Sequence, residues 1–367
     1  MAEQQTAVEM RQQKQVKVYN DEMQRQGVID VYRSLIWTRK YFEAGTVELH
    51  AALNSRNLEL LKEGNIVAMT GSVEAAFIEG IAANDYSNEI TATGRMLSSG
   101  IARRGIKTVV VFKEGTYEEA MRQLVEVAAI TSEDPLPNLQ LAEAQGLGDT
   151  VTFQVSYKDC YTYLTKLSRC SNLGFRIRPD FKNKIYYFEV YKGKDRTKNQ
   201  SQNKRATFSE VYRNLNKVTY TSNSQNYKTH AVVFGEGEGT ARTTMTATVD
   251  PTAAGWQRRE VMVDARDISS DGLTAAQYQQ ALIQRGNEKL AEFGIVECLE
   301  AATLPFVNFA YKTDYDLGDI VTVEKKAWSI KMDKRITEIQ EIYENGGFSI
   351  VPTFGSPLPE SVDLSDN

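Results

Sequence analysis

Short runs in which apolar and polar residues alternate recur in two separate stretches of this chain, and a period of two commits both stretches to strands with one buried face. In the first stretch an opening strand at Val16 to Tyr19 precedes runs at Ser34 to Tyr41, Thr46 to Ala52, Asn65 to Met69, Ala75 to Ile81 and Asn88 to Thr93. In the second, the runs are Lys217 to Thr221, Thr229 to Phe234, Thr240 to Thr248, Arg258 to Asp264, Val296 to Leu304, Ile320 to Glu324, Trp328 to Ile339 and Gly347 to Val351. Turn residues separate the runs, so each stretch reads as an antiparallel β unit.

Between them the period changes. Thr116 with Glu119 three residues on forms a capping box, and Met121, Leu124, Val125 and Ala128 supply a helical stripe. The sequence Glu133-Asp134-Pro135-Leu136-Pro137 stops that helix. After a strand at Thr150 to Ser156, Ser156 with Asp159 opens a second helix, which carries Tyr163, Leu164 and Leu167 and exits at Gly174. Phe175 to Arg178 and Ile185 to Tyr191 then read as a hairpin. A third helix, capped by Thr274, interrupts the second β unit, with Tyr278, Leu282, Gly286 and Leu290 at intervals of four before Phe293 and Gly294. The predicted order is a flexible leader (1–14), a β unit (15–112), an α/β segment (113–197), a polar linker (198–205), a β unit (206–354) with a helix inserted at 274–293, and an acidic tail (355–367). The overall class is β-rich α+β.

At 367 residues the chain exceeds the size at which one core keeps growing. A net charge of −5 disfavours a protein whose main work is gripping nucleic acid. The opening MAEQQTAVEMRQQKQ has no positively charged and apolar succession, so neither a signal nor a transit peptide is expected. No apolar run approaches the roughly 20 residues of a membrane span, so no membrane-spanning segment is expected.

Candidate chemistry is sparse. Cys160 and Cys170 fall on one helix, separated by roughly 15 Å of rise, beyond disulfide reach. With Cys298 they are read as reduced thiols. His50 and His230 are the only histidines and sit in or beside strand-like runs, which leaves a serine or cysteine triad and a Cys/His zinc site without partners. Asp314-Tyr-Asp316-Leu-Gly318-Asp319 has alternate oxygens but fails as a calcium loop: its glycine is at the fifth position, and Lys325 stands where a bidentate Glu is required. It reads instead as a tight turn before the strand at Ile320. Gly235-Glu236-Gly-Glu238-Gly239 carries carboxylates that would repel a phosphate. Lys192 to Arg205 is almost free of apolar residues and reads as a solvated loop or linker. Glu236, Glu238, Asp314 and Asp319 are available carboxylates but define no pair across a cleft. Trp37, Trp256 and Trp328 could make a carbohydrate platform, although strand aromatics are usually core or interface residues. No catalytic, cofactor-binding or metal residue is assigned.

Four stretches in order, Ala75-Ala-Phe-Ile-Glu-Gly-Ile81 running on to Ile90-Thr-Ala-Thr-Gly94-Arg95, Phe188-Glu-Val-Tyr-Lys-Gly193-Lys-Asp195-Arg-Thr197, Val232-Val-Phe-Gly-Glu-Gly-Glu-Gly239 and Asp316-Leu-Gly-Asp-Ile-Val-Thr-Val323, resemble the hub proteins of phage tails known from Gram-positive siphophages, prophages and tailocins. The likeness covers about Val31 to Pro352. It implies two related antiparallel β-barrel domains flanking the α/β segment, and three subunits closing a ring that adapts a six-fold tube to a three-fold spike or fibre. Implied partners are further copies of the chain, a tail tube or distal tail protein, a central spike or fibre, a tape measure protein and passing DNA. The implied place is the virion tail tip or baseplate, and no enzyme activity or cofactor is implied. A tail-associated cell-wall hydrolase and a carbohydrate-binding receptor module are the alternatives.

Overall fold

The computed structural model describes residues 14–302, 309–344 and 347–356. The first β unit contains β1 (Val16–Tyr19), β2 (Arg25–Ile29), β3 (Ser34–Lys40), β4 (Thr46–Ala52), helix α1 (Ser55–Leu60), β5 (Ile66–Met69), β6 (Ala76–Phe77), β7 (Gly80–Asn84) and β8 (Glu89–Arg95). Helix α1, whose first turn is capped by the Asn54 side chain, and β2 are additions to the sequence reading. The run Ala75 to Ile81 is not one strand. Ile78 N–H donates to Asn65 and Glu79 N–H to Thr93, so adjacent residues bond to different sheets and the chain changes layer there. Gly94 permits the crossing, because a Cβ on it would lie 1.8 Å from the Phe77 carbonyl oxygen. Val16, Val18 and Val67 on one layer pack with Leu35, Trp37, Leu49 and Ile90 on the other.

The α/β segment, read from the sequence as 113–197, is joined by β9 (Gly105–Ile106) and β10 (Val110–Phe112), which pair with β13 (Lys158–Asp159) and β12 (Phe153–Val155), and also holds α2 (Tyr117–Val125), β11 (Leu139–Leu141), α3 (Cys160–Ser171), β14 (Gly174–Asp180) and β15 (Ile185–Tyr191). The Thr116–Glu119 capping box closes as read from the sequence. Helix α3 is capped by Asp159 and leaves through Asn172 in the left-handed region, not through Gly174. Gly174 instead opens β14, where the Tyr41 ring would stand 2.6 Å from a Cβ. The two helices and the β14–β15 hairpin enclose a core of Leu124, Leu164, Leu167, Phe175 and Phe188.

The remaining elements are β16 (Thr207–Ser209), β17 (Asn216–Asn223), β18 (His230–Phe234), β19 (Thr244–Thr248), β20 (Glu260–Asp264), α4 (Ala275–Glu292), β21 (Val296–Ala302), β22 (Ile320–Lys325), β23 (Ile330–Glu344) and β24 (Gly347–Ser356). Helix α4 carries the capping box of Thr274 with Gln277. Of the leader and tail expected from the sequence, residues 1–13 and 357–367 lie outside the described residues, while Gly355 and Ser356 still belong to β24. The fold is β-rich with several antiparallel sheets. The largest has ten strands in the main order β17-β21-β24-β23-β3-β4-β8-β7, with β22 and β16 beyond one flank of β23. Strands from residues 15–112 and from 206–354 therefore share one sheet, through antiparallel pairing of β3 with β23 from Lys40 opposite Glu338 to Ser34 opposite Glu344.

The polar stretch 192–205 is irregular and mostly exposed, as the sequence reading has it, but it is anchored to the fold: Arg196 and Thr197 are buried. Arg196 meets Asp319 at 2.6 Å, Lys198 meets Glu324 at 2.7 Å and Lys204 meets Asp314 at 2.6 Å. A segment without apolar residues can still be ordered when its donors face fixed acceptors, which composition alone does not reveal.

Candidate functional site

The place where the three parts of the chain meet is built around the end of β3. Leu35, Trp37 and Arg39 alternate on its buried face, so the strand carries a guanidinium into the interior in the same phase as its core residues. Arg39 Nε donates to Glu74 at 2.6 Å, and Nη1 donates to Tyr311 Oη at 3.1 Å and to Asp316 at 2.8 Å. Tyr311 Oη donates to Glu341 at 3.1 Å, which also accepts from Tyr343 Oη at 2.8 Å and lies 3.1 Å from Lys312 Nζ. Burial by itself works against the Arg39 charge, but Tyr311, Glu74 and Asp316 overcome it and hold the group protonated well above its ordinary value. Burial pushes the Tyr311 hydroxyl far up, so it remains a donor.

Beside this network lies the Asp316-Leu-Gly-Asp turn. Gly318 has φ +89°, and the Tyr41 ring would stand 2.2 Å from any Cβ there. Asp319 is buried and accepts from Arg196 Nε at 2.6 Å, Lys194 N–H at 2.7 Å and Asp316 N–H at 3.1 Å. Tyr41 links all three parts: its hydroxyl donates to the carbonyls of Asn172 at 3.1 Å and Tyr191 at 3.2 Å, its ring carries the Arg335 guanidinium at 5.1 Å, and its own N–H donates to Thr337 at 2.9 Å. The carboxylates of Asp314, Asp316 and Asp319 are thus occupied by Lys204, Arg39, Arg196 and backbone amides. They stitch the chain together.

The other residues singled out from sequence are scattered. His50, on β4, stands between Glu48 at 2.7 Å and Glu89 at 3.2 Å. Burial pulls its pKa down, but hydrogen bonds to the two carboxylates outweigh that and raise it. His230, on β18, is buried between the hydroxyls of Thr229 at 2.9 Å and Thr248 at 3.3 Å. Cys160 and Cys170 lie on α3 and Cys298 on β21, all as thiols; burial pushes Cys160 up to about 12. Trp37 is core, Trp256 is fully exposed in the turn before β20, and Trp328 is half-exposed between β22 and β23 beneath Lys325. Glu236 is held below the ordinary carboxylate range by Ser270. Gly235 is explained by Tyr278, whose hydroxyl would lie 2.3 Å from a Cβ. The sequence reading missed Arg39, Glu74 and Glu341. Two of them carried a signal, a charge in apolar phase: Arg39 follows Leu35 and Trp37, and Glu341 lies between Ile339 and Tyr343.

Two features of the surface bear on assembly. The ten-stranded sheet ends in β17 on one side and β7 on the other, and each leaves one backbone edge unpaired among the described strands. Tyr86, at the tip of the β7–β8 hairpin, is fully exposed.

The profile of the siphovirus ReqiPepy6 Gp37-like proteins matches residues 15–356. The chain belongs to this siphovirus tail protein family. Its fold is also that of three solved tail proteins. The tail protein from Neisseria meningitidis MC58 superposes with a TM-score of 0.59 at 15% identity, covering 94% of this chain and 96% of that one. The 43 kDa tail protein of prophage MuSo2 from Shewanella oneidensis gives 0.57 at 9% identity, covering 94% and 98%. Prophage tail protein gp18 from Listeria monocytogenes EGD-e gives 0.53 at 12%, covering 92% and 94%. No curated protein matches the chain. In this Gp37-like protein the Arg39 and Asp319 networks join distant parts of the chain.

Proposed function

We propose that this Gp37-like protein is the hub of a phage-type tail tip or baseplate, a non-enzymatic ring of three copies around the tail channel that adapts a six-fold tube to a three-fold spike or fibre. The observation that carries this reading is the fusion of strands from both ends of the chain into one sheet, pinned beneath by the Arg39 network. A collar that must pass load from tube to spike needs its parts joined by backbone ladders and not by flexible linkers. The unpaired edges at β17 and β7 would let neighbouring subunits extend the sheet in one repeated heterologous contact, the kind that closes a ring. The β units at 15–112 and 206–354 would act as related halves, so that three chains offer six similar positions to the tube. The tape measure protein, a distal tail protein and DNA in transit would be the other neighbours. The engagement of the turn carboxylates by Arg and Lys, together with the separate settings of the two histidines, favours this reading over a cell-wall hydrolase.

Electron microscopy of intact tail tips tests the proposal. Three copies of this chain lining the axis are expected. Six or twelve copies in a peripheral ring, with a different protein at the axis, would overturn it.

A further inference from the structure

Residues 230–292, comprising β18, β19, β20 and α4, have a core of their own. Ala231, Val233, Ala247, Val263, Ile268, Leu282 and Leu290 form a cluster whose buried and partly buried apolar members all lie between residues 231 and 290. Helix α4 faces this sheet with the row Tyr278, Leu282, Gly286 and Leu290, and at Gly286 the fit is so close that a Cβ would lie 2.7 Å from Ala247 and 2.9 Å from Val233. The chain enters this body from the end of β17 and leaves it into β21. Those two strands are paired with each other, Asn223 opposite Val296, at one end of the ten-stranded sheet.

The other face of α4 lies against the α/β segment, and its chemistry is different. The residues at intervals of four on that side are Gln280, Gln284, Glu288 and Glu292, and each meets a residue of the α/β segment. Thr152 Oγ1 donates to Gln280 at 3.3 Å, Tyr117 Oη to Gln284 at 2.9 Å and Tyr163 Oη to Glu288 at 2.8 Å, while Lys166 lies 2.9 Å from Glu292. Arg285 Nη2 donates to the Gln154 carbonyl at 3.3 Å and Lys113 Nζ to the Gly272 carbonyl at 2.9 Å. Among the described residues, the apolar cluster of this body and that of the α/β segment share no member.

A helix with an apolar row on one side and a polar row on the other has one permanent face and one exchangeable face. Water can take over the hydrogen bonds of glutamine and glutamate at small net cost, whereas it cannot replace the Leu282 and Gly286 packing. Polar interfaces between bodies joined by a short connection are where relative motion is expected. We propose that residues 230–292 form an arm that leaves the α/β segment as one rigid body, turning about the paired strand ends at Asn223 and Val296, with the polar row of α4 as its latch. The inference holds whether or not the hub reading does, since it uses only contacts within one chain.

The test measures a distance across the latch in the full chain. Nitroxide labels are placed at Lys182→Cys, on the exposed β14–β15 turn, and Trp256→Cys, on the arm, with Cys170→Ala removing the half-buried thiol. The parent should give one narrow distribution. Tyr117→Phe with Tyr163→Phe keeps both rings and removes two donors, and should raise a second, longer population by on the order of tenfold. Circular dichroism should be unchanged. Leu282→Ala provides the contrast, since it attacks the arm's own core and should broaden the distribution while helical signal is lost. A single unchanged distribution in the folded double-phenylalanine variant overturns the proposal. So does broadening accompanied by the loss of helical signal seen with Leu282→Ala, because the arm would then be melting and not turning.

Discussion

The Arg39 junction and the α4 latch both bury charged and phenolic groups between parts of the chain, and they hold those parts in different ways. At the junction the polar network lies under a backbone ladder, since Ile339 pairs with Arg39 and Glu341 with Trp37 on strands that also bury Leu35 and Tyr343. The ladder fixes the geometry, and the ions fill it. At the latch, among the described residues, no strand pairing crosses between the bodies and their apolar clusters are separate, so side-chain hydrogen bonds and the Lys166–Glu292 ion pair carry the interface. Buried polar chemistry can therefore mark a fastened joint or a releasable one. Which it is depends on whether the backbone is bonded across the same boundary.

Cutting the junction should have the largest effect. Arg39→Ala leaves Glu74 buried without its cation and deprives Tyr311 of a partner, and breaking a buried pair in this way costs about 3–5 kcal/mol. Urea unfolding should show a lower midpoint for the whole chain in one transition. A loss confined to the 230–292 arm would show that the β3–β23 joint does not depend on its ions.

Gly318→Ala tests the same joint through its backbone. A Cβ at φ +89° is strained and also meets the Tyr41 ring, so a cost of about 1–3 kcal/mol is expected. Calorimetry of the variant should show a lower Tm. An unchanged Tm would mean that Tyr41 moves aside freely, and that the three-way contact is looser than the Arg39 network.

The smallest effect is a pH dependence peculiar to the latch. Burial raises the Glu288 carboxyl above its ordinary range, and Arg285, Tyr163, Gln284 and Lys166 lower it only in part; Cys170 also lies near. An undocked arm exposes the group and returns it to the ordinary value of about 4.3. The docked form thus binds the extra proton. Its contribution to docking is fully present below that ordinary value and fades as pH rises through the raised one. Glu292 runs oppositely: burial pushes it up, but Lys166 and Lys289 hold it lower, so its contribution is lost as pH falls through the lowered value. Between the ordinary carboxylate value and neutral pH the Glu288 effect should dominate. The longer spin-label distance should grow as pH rises, and Glu288→Gln should flatten that slope. A slope of the opposite sign would assign control of the latch to the Lys166–Glu292 pair.

Much of the fold was legible in local pattern. Alternation in Thr46–Ala52 gave that strand to the residue, and the capping box at Thr116 and the cap at Thr274 gave the starts of two helices, because caps and periodicities are written within a few neighbouring residues. The turn at Gly318 was equally local. The exit of α3 was not, because Asn172 can take the left-handed conformation that Gly174 was expected to supply.

What only the tertiary structure decided is which distant segments share a boundary. The pairing of β3 with β23 joins residues about three hundred positions apart, and no periodicity in either strand names its partner. The polar stretch 192–205 looked solvated because its composition lacks apolar area, yet Asp319, Glu324 and Asp314 wait for its cations across the fold. The two rows of α4 are both visible as intervals of four in the sequence. That one row is packed in the arm and the other meets the α/β segment follows only from which surfaces meet, since burial and hydrogen-bond satisfaction are properties of the assembled neighbourhood and not of the residue.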